Sequence, residues 1–427
     1  MASDRPVLIV GAGIGGLTTA LSLHQIGVPC LVLESVERIE PLGVGINVLP
    51  HAVRELTELG LGAVIEKEGV ATVELAYYSK RGQRIWQEPR GRAAGYSWPQ
   101  ISIHRGTLQI LLAQAFYQRL GVGAIRTGHH LAGWDETADG IVAHLVDRKT
   151  GGRRESVTGS LLIAADGIHS AARARLVPGE GPPKWNGAIL WRGVTMAAPF
   201  LTGRSMIMAG HERQKFVCYP ISEPDPGSGK QVINWIAERK FPTDRPWRRE
   251  DWNRMARLDE YLPQFLDWNF AWLDVPGLIR DATYALEYPM VDRDPLAAWT
   301  RGRMTLLGDA AHPMYPIGSN GASQAILDAR VLAREIQAKG VCEAALLAYE
   351  VERNPATAKI VLANRGNGPE QVMQFVETRA PDGFNRIEDV LSQDELTEAA
   401  SAYKRIAGFD KDALNARASI VVASAQR

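Results

Sequence analysis

The stretch VLIVGAGIGGLTTALSLHQIGVPCLVLES, close to the N-terminus of this 427-residue chain, constrains its fold more than any other. Val7 to Val10 is an all-apolar run suited to a buried parallel strand. Gly11, Gly13 and Gly16 follow as G-x-G-x-x-G, with Ile14 and Gly15 inside the turn. Leu17, Ala20, Leu21 and Leu23 then supply a helix face ending near Gly27, Cys30 to Leu33 reads as a second strand, and Glu34 closes it. Strand, glycine turn, helix, strand and acid together make a dinucleotide-binding unit. The glycines allow a tight turn and close backbone approach, so a pyrophosphate sits on the helix N-terminus. Glu34, at the expected distance of about 20 residues, accepts from an adenosine ribose hydroxyl. FAD and NAD share the same adenosine diphosphate half, so this unit alone does not separate them.

Two later stretches repeat the pattern of an apolar strand running into glycine and acid. In LLIAADGIHSAARARL, residues 161–176, the strand ends at Asp166-Gly167, either a ligand site or a turn with a helix cap. In RMTLLGDAAHPMYPIGSNGASQAILDA, residues 303–329, Met304 to Leu307 runs into Gly308-Asp309, then a loop with Pro316, Gly318, Asn320 and Gly321. A helix follows, with Ala325, Ile326, Ala329 and Leu332 as its apolar positions and Asn320 placed to cap it. An acid at a strand end before such a turn positions a polar group where small-molecule ligands bind in α/β sheets.

Formal net charge is zero and no long run of one sign occurs, so there is no electrostatic case for nucleic acid or an anionic membrane. No apolar stretch approaches the roughly 20 residues of a spanning helix, and no signal-peptide pattern precedes the first strand, which makes the cytoplasm the expected compartment. Cys30, Cys218 and Cys342 lack ligand spacing and read as core thiols, and adjacent His129 and His130 do not make a metal site.

The intervening segments differ in texture. Residues 71–103 and 181–295 hold short β-like runs, among them VELAYYS, AILWRGVTM, SMIMAG, KFVCYPIS and QVINWIAE. Their alternation predicts an antiparallel sheet with one packed face and one face over a cavity. The tryptophans of DWNRMARLDEYLPQFLDWNFAWLDV are expected to pack an outer helix. The fold predicted is α/β: a Rossmann-like nucleotide-binding domain with a mostly parallel sheet (residues 1–70, 104–180 and 296–365), interleaved with a β-rich substrate domain (71–103 and 181–295). A helical C-terminal segment, 366–427, follows.

The ordered set G-x-G-x-x-G, D-G-x-H-S-x-x-R and G-D-A-A-H-P resembles the fingerprint of single-component flavoprotein aromatic hydroxylases, the class that includes p-hydroxybenzoate and salicylate hydroxylases. PLGVGINVLPHAV, EPRG, SIHRGTLQ, WRGV and YPMVDRDPLAAWTRGR are similar to its phenazine-hydroxylating branch, and the resemblance runs from residue 6 to about residue 365. It implies FAD as cofactor, with Gly11, Gly13 and Gly16 at the pyrophosphate, Glu34 at the adenosine ribose and Asp309 at the ribityl hydroxyls. Asp166 joins this cofactor set. Residues Pro316 to Gly321 would lie against the flavin ring. Many relatives have PxGGxGxN where this chain has PIGSNGAS. Arg105, before a helix predicted over 107–120, contacts FAD in the family, its alternative being a surface ion pair; Gly43 and Gly45 match a backbone segment beside the cofactor.

Arg192 and Tyr219 occupy stretches that border flavin and substrate in relatives; a structural ion pair and plain core are their alternatives. The implied reaction uses NADH or NADPH to reduce FAD and O2 to form a flavin hydroperoxide, whose distal oxygen an electron-rich ring attacks. Its substrate would be a small aromatic, with nitrogen heteroaromatics of two or three rings favoured, and simple hydroxylation and replacement of a carboxylate both remain open. Monomer and dimer also stay open. A flavin-dependent halogenase would share the first glycine motif, but the W-x-W-x-I-P segment is missing. A reductase or redox-silent binder on the same scaffold is the other alternative. No general base stands out.

Overall fold

The computed structural model describes residues 5–242, 254–366 and 368–422. Its first sheet has six strands in the order Thr300–Arg301, Met304–Leu306, Leu162–Ala164, Val7–Val10, Cys30–Leu33 and Ile125–Arg126, parallel except at the Thr300–Arg301 edge. The central strands are apolar at every position because helices and loops cover both faces. Helix Ile14–Gln25 packs between Arg105–Leu120 and Gly321–Lys339, which puts its N-terminus at the carboxyl ends of the strands. The three strand-end glycine/acid stretches thus come side by side, since Leu162–Ala164 lies between Val7–Val10 and Met304–Leu306.

The β-like runs form a second, seven-stranded sheet in the order Tyr284–Asp292, Lys184–Ala197, Gln231–Lys240, Gln214–Pro220, Ser205–His211, Glu74–Tyr78 and Arg84–Pro89. It is antiparallel as expected except for one pairing. Glu74–Tyr78 arrives from a distant part of the chain, not through a hairpin, and runs parallel to Ser205–His211. Side-chain alternation splits this sheet. Trp191, Phe216, Cys218 and Trp235 point to an outer layer containing Tyr261, Phe265, Trp268 and Phe270, while the intervening positions face the first sheet's strand ends.

That outer layer corrects one expectation. From Arg254 onward the tryptophan-containing stretch is not a single helix but a series of short pieces: Leu258–Tyr261, a tight turn at Leu262–Phe265, the two-residue strands Asn269–Phe270 and Leu273–Asp274, and helix Val275–Arg280. Pro263 and Pro276 sit where helices start, and Asp274 caps the last one by accepting from the Gly277 N–H. Trp268 is buried, Trp272 half-buried against Tyr78 with ring centroids 4.3 Å apart, and Trp252 lies outside the described residues. Cys30 and Cys218 are core thiols, whereas Cys342 is only half-buried, at the start of helix Glu343–Arg365.

A third sheet, Gly45–Val48, Gln100–His104 and Val70–Thr72, joins the two larger ones. Beyond residue 366 the chain is mostly helical: Gln371–Arg379 packs on the seven-stranded sheet, Gln393–Ile406 reaches the 316–321 loop through Tyr403, and Lys411–Ala416 lies against Arg54, Leu49 and Tyr96. Ser392 and Glu395 form a reciprocal capping box that starts the middle helix. Among the described residues no helix is long and apolar enough to cross a membrane.

Candidate functional site

A cavity of about 330 Å³ lies between the strand ends of the first sheet and the inner face of the second. At its nucleotide end the glycines divide their work. Gly11 has φ +99°, and a Cβ there would meet the Ala165 carbonyl oxygen at 2.5 Å; a Cβ on Gly16 would meet the Gly11 carbonyl oxygen at 1.9 Å. Gly13 is different: a Cβ would meet nothing within 4 Å, because this position lines the cavity. Gly13 also precedes helix Ile14–Gln25 without any side-chain cap, leaving that helix's first N–H groups for a ligand. Ile14 and Gly15 line the same wall.

Glu34 stands beside this turn. Its Oε2 accepts from the Ala12 N–H at 2.6 Å and its Oε1 from the Val36 N–H at 2.9 Å, so it braces the glycine loop. Asp166 accepts from the Ala171 N–H at 2.8 Å at the start of helix Ala171–Leu176, while its other oxygen is buried without a partner. The N-cap of that helix is Ser170, which accepts from the Arg173 N–H; Asp166 supports the helix start with one oxygen, and its other oxygen has no partner among the described residues.

Asp309 is exposed to the cavity and accepts no hydrogen bond from a described residue. Burial within the protein pushes its carboxyl above the usual range; His312 and Arg105 pull it back, and Asp328 pushes it further up. Arg105 also lines the cavity and forms no ion pair with a described residue. Behind Asp309, Asp328 Oδ2 accepts from the Gly308 N–H at 3.1 Å and contacts His312 Nε2 at 2.6 Å, and Oδ1 accepts from Arg353 Nε at 2.7 Å. Burial alone would raise Asp328, but His312 and Arg353 outweigh it and hold its carboxyl at about 2.

The loop after Pro316 makes a tight turn at Ile317–Ser319, with φ +68° at Gly318 and +58° at Ser319. Asn320 does not cap the following helix. Its Nδ2 instead donates to the Gly318 carbonyl at 3.1 Å and to Tyr403 Oη at 3.0 Å, and its Oδ1 accepts from Gln324. The Tyr403 hydroxyl, within 3.1 Å of the Ile317 carbonyl and 2.8 Å of Asn364 Oδ1, locks the loop from the C-terminal segment. Pro316, Asn320 and Gly321 line the cavity, whereas Gly318 turns toward Tyr403.

On the sheet side, Arg192 Nη2 and the Tyr219 hydroxyl both donate to the Gly45 carbonyl, at 2.8 and 2.9 Å. Gly45 N–H in turn donates to Asn234 Oδ1 at 2.7 Å, which pins the joining sheet to the inner face. Arg192 has no carboxylate partner among the described residues, and its Nε is buried and unbonded. Tyr219 is buried yet part of the cavity wall; burial pushes its hydroxyl up to about 12, so it stays a donor near neutrality.

Lys215, Glu238 and Glu370 also line the cavity, and sequence reasoning missed all three. Lys215 shares a face with Tyr219 and Glu238 with Ile236, so charges in those alternating runs were a usable signal. Nothing local marks Glu370. Among the described residues no cluster of His, Cys, Asp and Glu is arranged to hold a metal.

An uncapped helix N-terminus on open glycine backbone, with a carboxylate and a guanidinium that have no partner among the described residues, fits a dinucleotide cofactor that carries both a pyrophosphate and free hydroxyls. The chain belongs to the FAD binding domain family, whose model matches residues 4–364. It is 48% identical over 366 residues to phenazine 1,6-dicarboxylic acid hydroxylase PhzS of Lysobacter antibioticus, covering 85% of this chain and 90% of that one. It is 30% identical over 366 residues to 3-hydroxybenzoate 6-hydroxylase 1 of Aquipseudomonas alcaligenes, covering 84% and 87%. Klebsiella pneumoniae HpxO complexed with FAD and uric acid matches with a TM-score of 0.69 at 25% identity over 96% of this chain and 94% of that one. A salicylate hydroxylase substrate complex shares the fold, with a TM-score of 0.71 at 22% identity over 100% of both chains. The chain is a flavoprotein monooxygenase of the aromatic hydroxylase type, with FAD as cofactor and NAD(P)H as co-substrate.

Proposed function

We propose that this chain hydroxylates a nitrogen heteroaromatic or phenolic acid in the cavity between its two large sheets, spending NADH or NADPH and O2. Bound FAD would supply the activation of O2 and the electrophilic oxygen that an aromatic ring takes up. The protein's part is binding, orientation and exclusion of water. In this reading the N-terminus of helix Ile14–Gln25, with Gly13, Ile14 and Gly15, receives the pyrophosphate; Gly11 and Gly16 shape that turn, and Glu34 takes the adenosine ribose. Asp309 accepts from ribityl hydroxyls, Arg105 donates across the cavity, and Asp166 contributes its free oxygen. Pro316, Gly318, Asn320 and Gly321 hold the loop against the flavin ring, and Gly45 presents backbone beside it.

Arg192 would place the substrate by its carboxylate and Tyr219 by a hydrogen bond, both steadied on the Gly45 carbonyl. Aromatic substrates of this kind are supported by the phenazine and hydroxybenzoate hydroxylases to which the chain is similar. The division into FAD-binding, substrate and C-terminal parts belongs to the same proposal.

The observation that carries the reading is that Asp309 and Arg105 line one cavity, each without a hydrogen-bond or ion-pair partner among the described residues. NADH and NADPH oxidation by FAD-loaded protein, with and without phenolic, quinolone and phenazine acids, tests it. Strong stimulation with one oxygen added to the aromatic is the expected result, and exchange of a carboxylate for hydroxyl would identify the decarboxylative variant. Slow oxidation that no aromatic changes would instead indicate a reductase or binder.

A further inference from the structure

One charged cluster in the cavity wall has no part in the roles above. Lys215 and Glu238 are direct partners across the antiparallel strands Gln214–Pro220 and Gln231–Lys240. The alternation that turns Tyr219 and Ile236 to the cavity turns these two the same way. Lys215 Nζ lies 3.4 Å from Glu238 Oε1 and donates to Glu370 Oε2, Glu370 coming from the short turn that opens the C-terminal segment. Side-chain exposure is only 4% for Lys215, 8% for Glu238 and 6% for Glu370.

One ammonium between two carboxylates leaves an excess negative charge in a site with little water, a costly state that uptake of one proton relieves. Glu238 is the more loosely held of the two carboxylates, 3.4 Å from Nζ, while Glu370 takes the direct hydrogen bond. Burial pushes the Glu238 carboxyl up, Lys215 pulls it down, Glu370 pushes it up again, and Lys240 on the same strand opposes weakly. Burial pulls Lys215 down, but its two carboxylate partners outweigh this and hold it charged. Tyr77 and Tyr403, beside Glu370, are pushed up by burial and stay neutral; Tyr219, on the strand of Lys215, is neutral too. Other cations of the molecule also hold two carboxylates, Arg365 with Asp292 and Asp294 among them, but the Lys215 cluster differs in that all three of its members line the cavity.

We propose that Glu238 is the proton acceptor for an O–H or ring N–H of the aromatic substrate, with Lys215 and Glu370 as positioning residues that set its charge. The inference rests on the hydroxylase reading and supplies the base that the sequence did not disclose. In the step, the substrate O–H bond breaks, its proton bonds to a Glu238 carboxylate oxygen, and the electron pair stays on the substrate oxygen. The ring becomes richer in electrons, which is what attack on an electrophilic oxygen requires. The protonated Glu238 then donates a hydrogen bond back to the substrate anion and is neutral beside Lys215 and Glu370.

The test uses 1-hydroxyphenazine, whose visible absorption changes when its hydroxyl ionises, bound to the FAD-loaded protein and followed by difference spectra from about pH 6 to about pH 9. The wild type is expected to hold the probe as phenolate at least about one pH unit below the transition of the free compound. Glu238→Gln moves that transition back up by about one unit, a tenfold loss of phenolate at fixed pH, and Glu238→Asp restores part of it. The non-ionisable analogue 1-methoxyphenazine binds wild type and Glu238→Gln within about twofold, showing that the pocket is intact.

If Glu238→Gln does not retain FAD, Glu370→Gln serves instead: losing one negative neighbour lowers the proton affinity of Glu238 and also moves the probe's transition up. A probe that titrates alike in wild type and the FAD-loaded variants, or one unshifted in the wild type, overturns the assignment to Glu238. A wild type that binds FAD but neither phenazine, and whose NADH oxidation no aromatic stimulates, overturns the hydroxylase reading itself.

Discussion

The two walls of the cavity are built by different means. The nucleotide wall is mostly backbone: Gly13 leaves open space, Gly11 and Gly16 admit close approach, and its free side-chain donors and acceptors are few and widely spaced. The sheet wall is made of side chains at every second position, with Arg192, Tyr219, Lys215 and Glu238 set among Leu190, Val217 and Ile236. Backbone geometry leaves little room for substitution, while alternating side chains can be exchanged without disturbing the strand that carries them. This contrast implies that damage to the first wall removes the cofactor, and damage to the second changes what is oxidised.

The largest effect that would test this division comes from the support behind the first wall. Asp328→Ala strands His312 and Arg353 in a buried site and should cost about 3–5 kcal/mol, visible as a lower thermal midpoint. The same residue predicts an acid limb. Its carboxyl is held at about 2 against 3.8 ordinarily, so its contribution is complete above 3.8 and is lost as pH falls through about 2. An Asp328→Asn variant should lack that limb in an acid unfolding curve.

Next in size, Asp309→Ala should weaken FAD binding about 10- to 100-fold, the worth of one or two hydrogen bonds to a charged acceptor, measured by recovery of free-flavin fluorescence. Arg192→Ala should keep its FAD and raise KM for acid substrates by a similar factor of about 10–100. Equal loss of FAD from the two variants would erase the distinction between the walls. Normal turnover of acids by Arg192→Ala would remove its assigned role. The smallest effect is Tyr219→Phe, which gives up one hydrogen bond to Gly45 and should cost about 1 kcal/mol in kcat/KM, with FAD affinity unchanged.

The same contrast explains what was legible beforehand. Gly11, Gly16 and Asp309 stood out because strand-end geometry restricts which residues fit, and the restriction is local. Alternation in KFVCYPIS and QVINWIAE disclosed the sheet and its open face, but a period of two says nothing about which exposed position carries chemistry. Lys215 and Glu238 lay in those runs unremarked. The parallel pairing of Ser205–His211 with Glu74–Tyr78 depends on distant chain. The partner of Asn320 was equally out of reach: a cap was the local expectation, and Tyr403, 83 residues on, claims its amide instead.

That last contact bears on how the protein is made. The 316–321 loop is pinned by the Tyr403 hydroxyl through Ile317, Asn320 and Asn364, so a nascent chain that has already exposed the glycine turn, Asp309 and the loop itself still lacks the clasp. Until Tyr403 has left the ribosome the loop lacks that hold, and the cavity wall it forms is completed last.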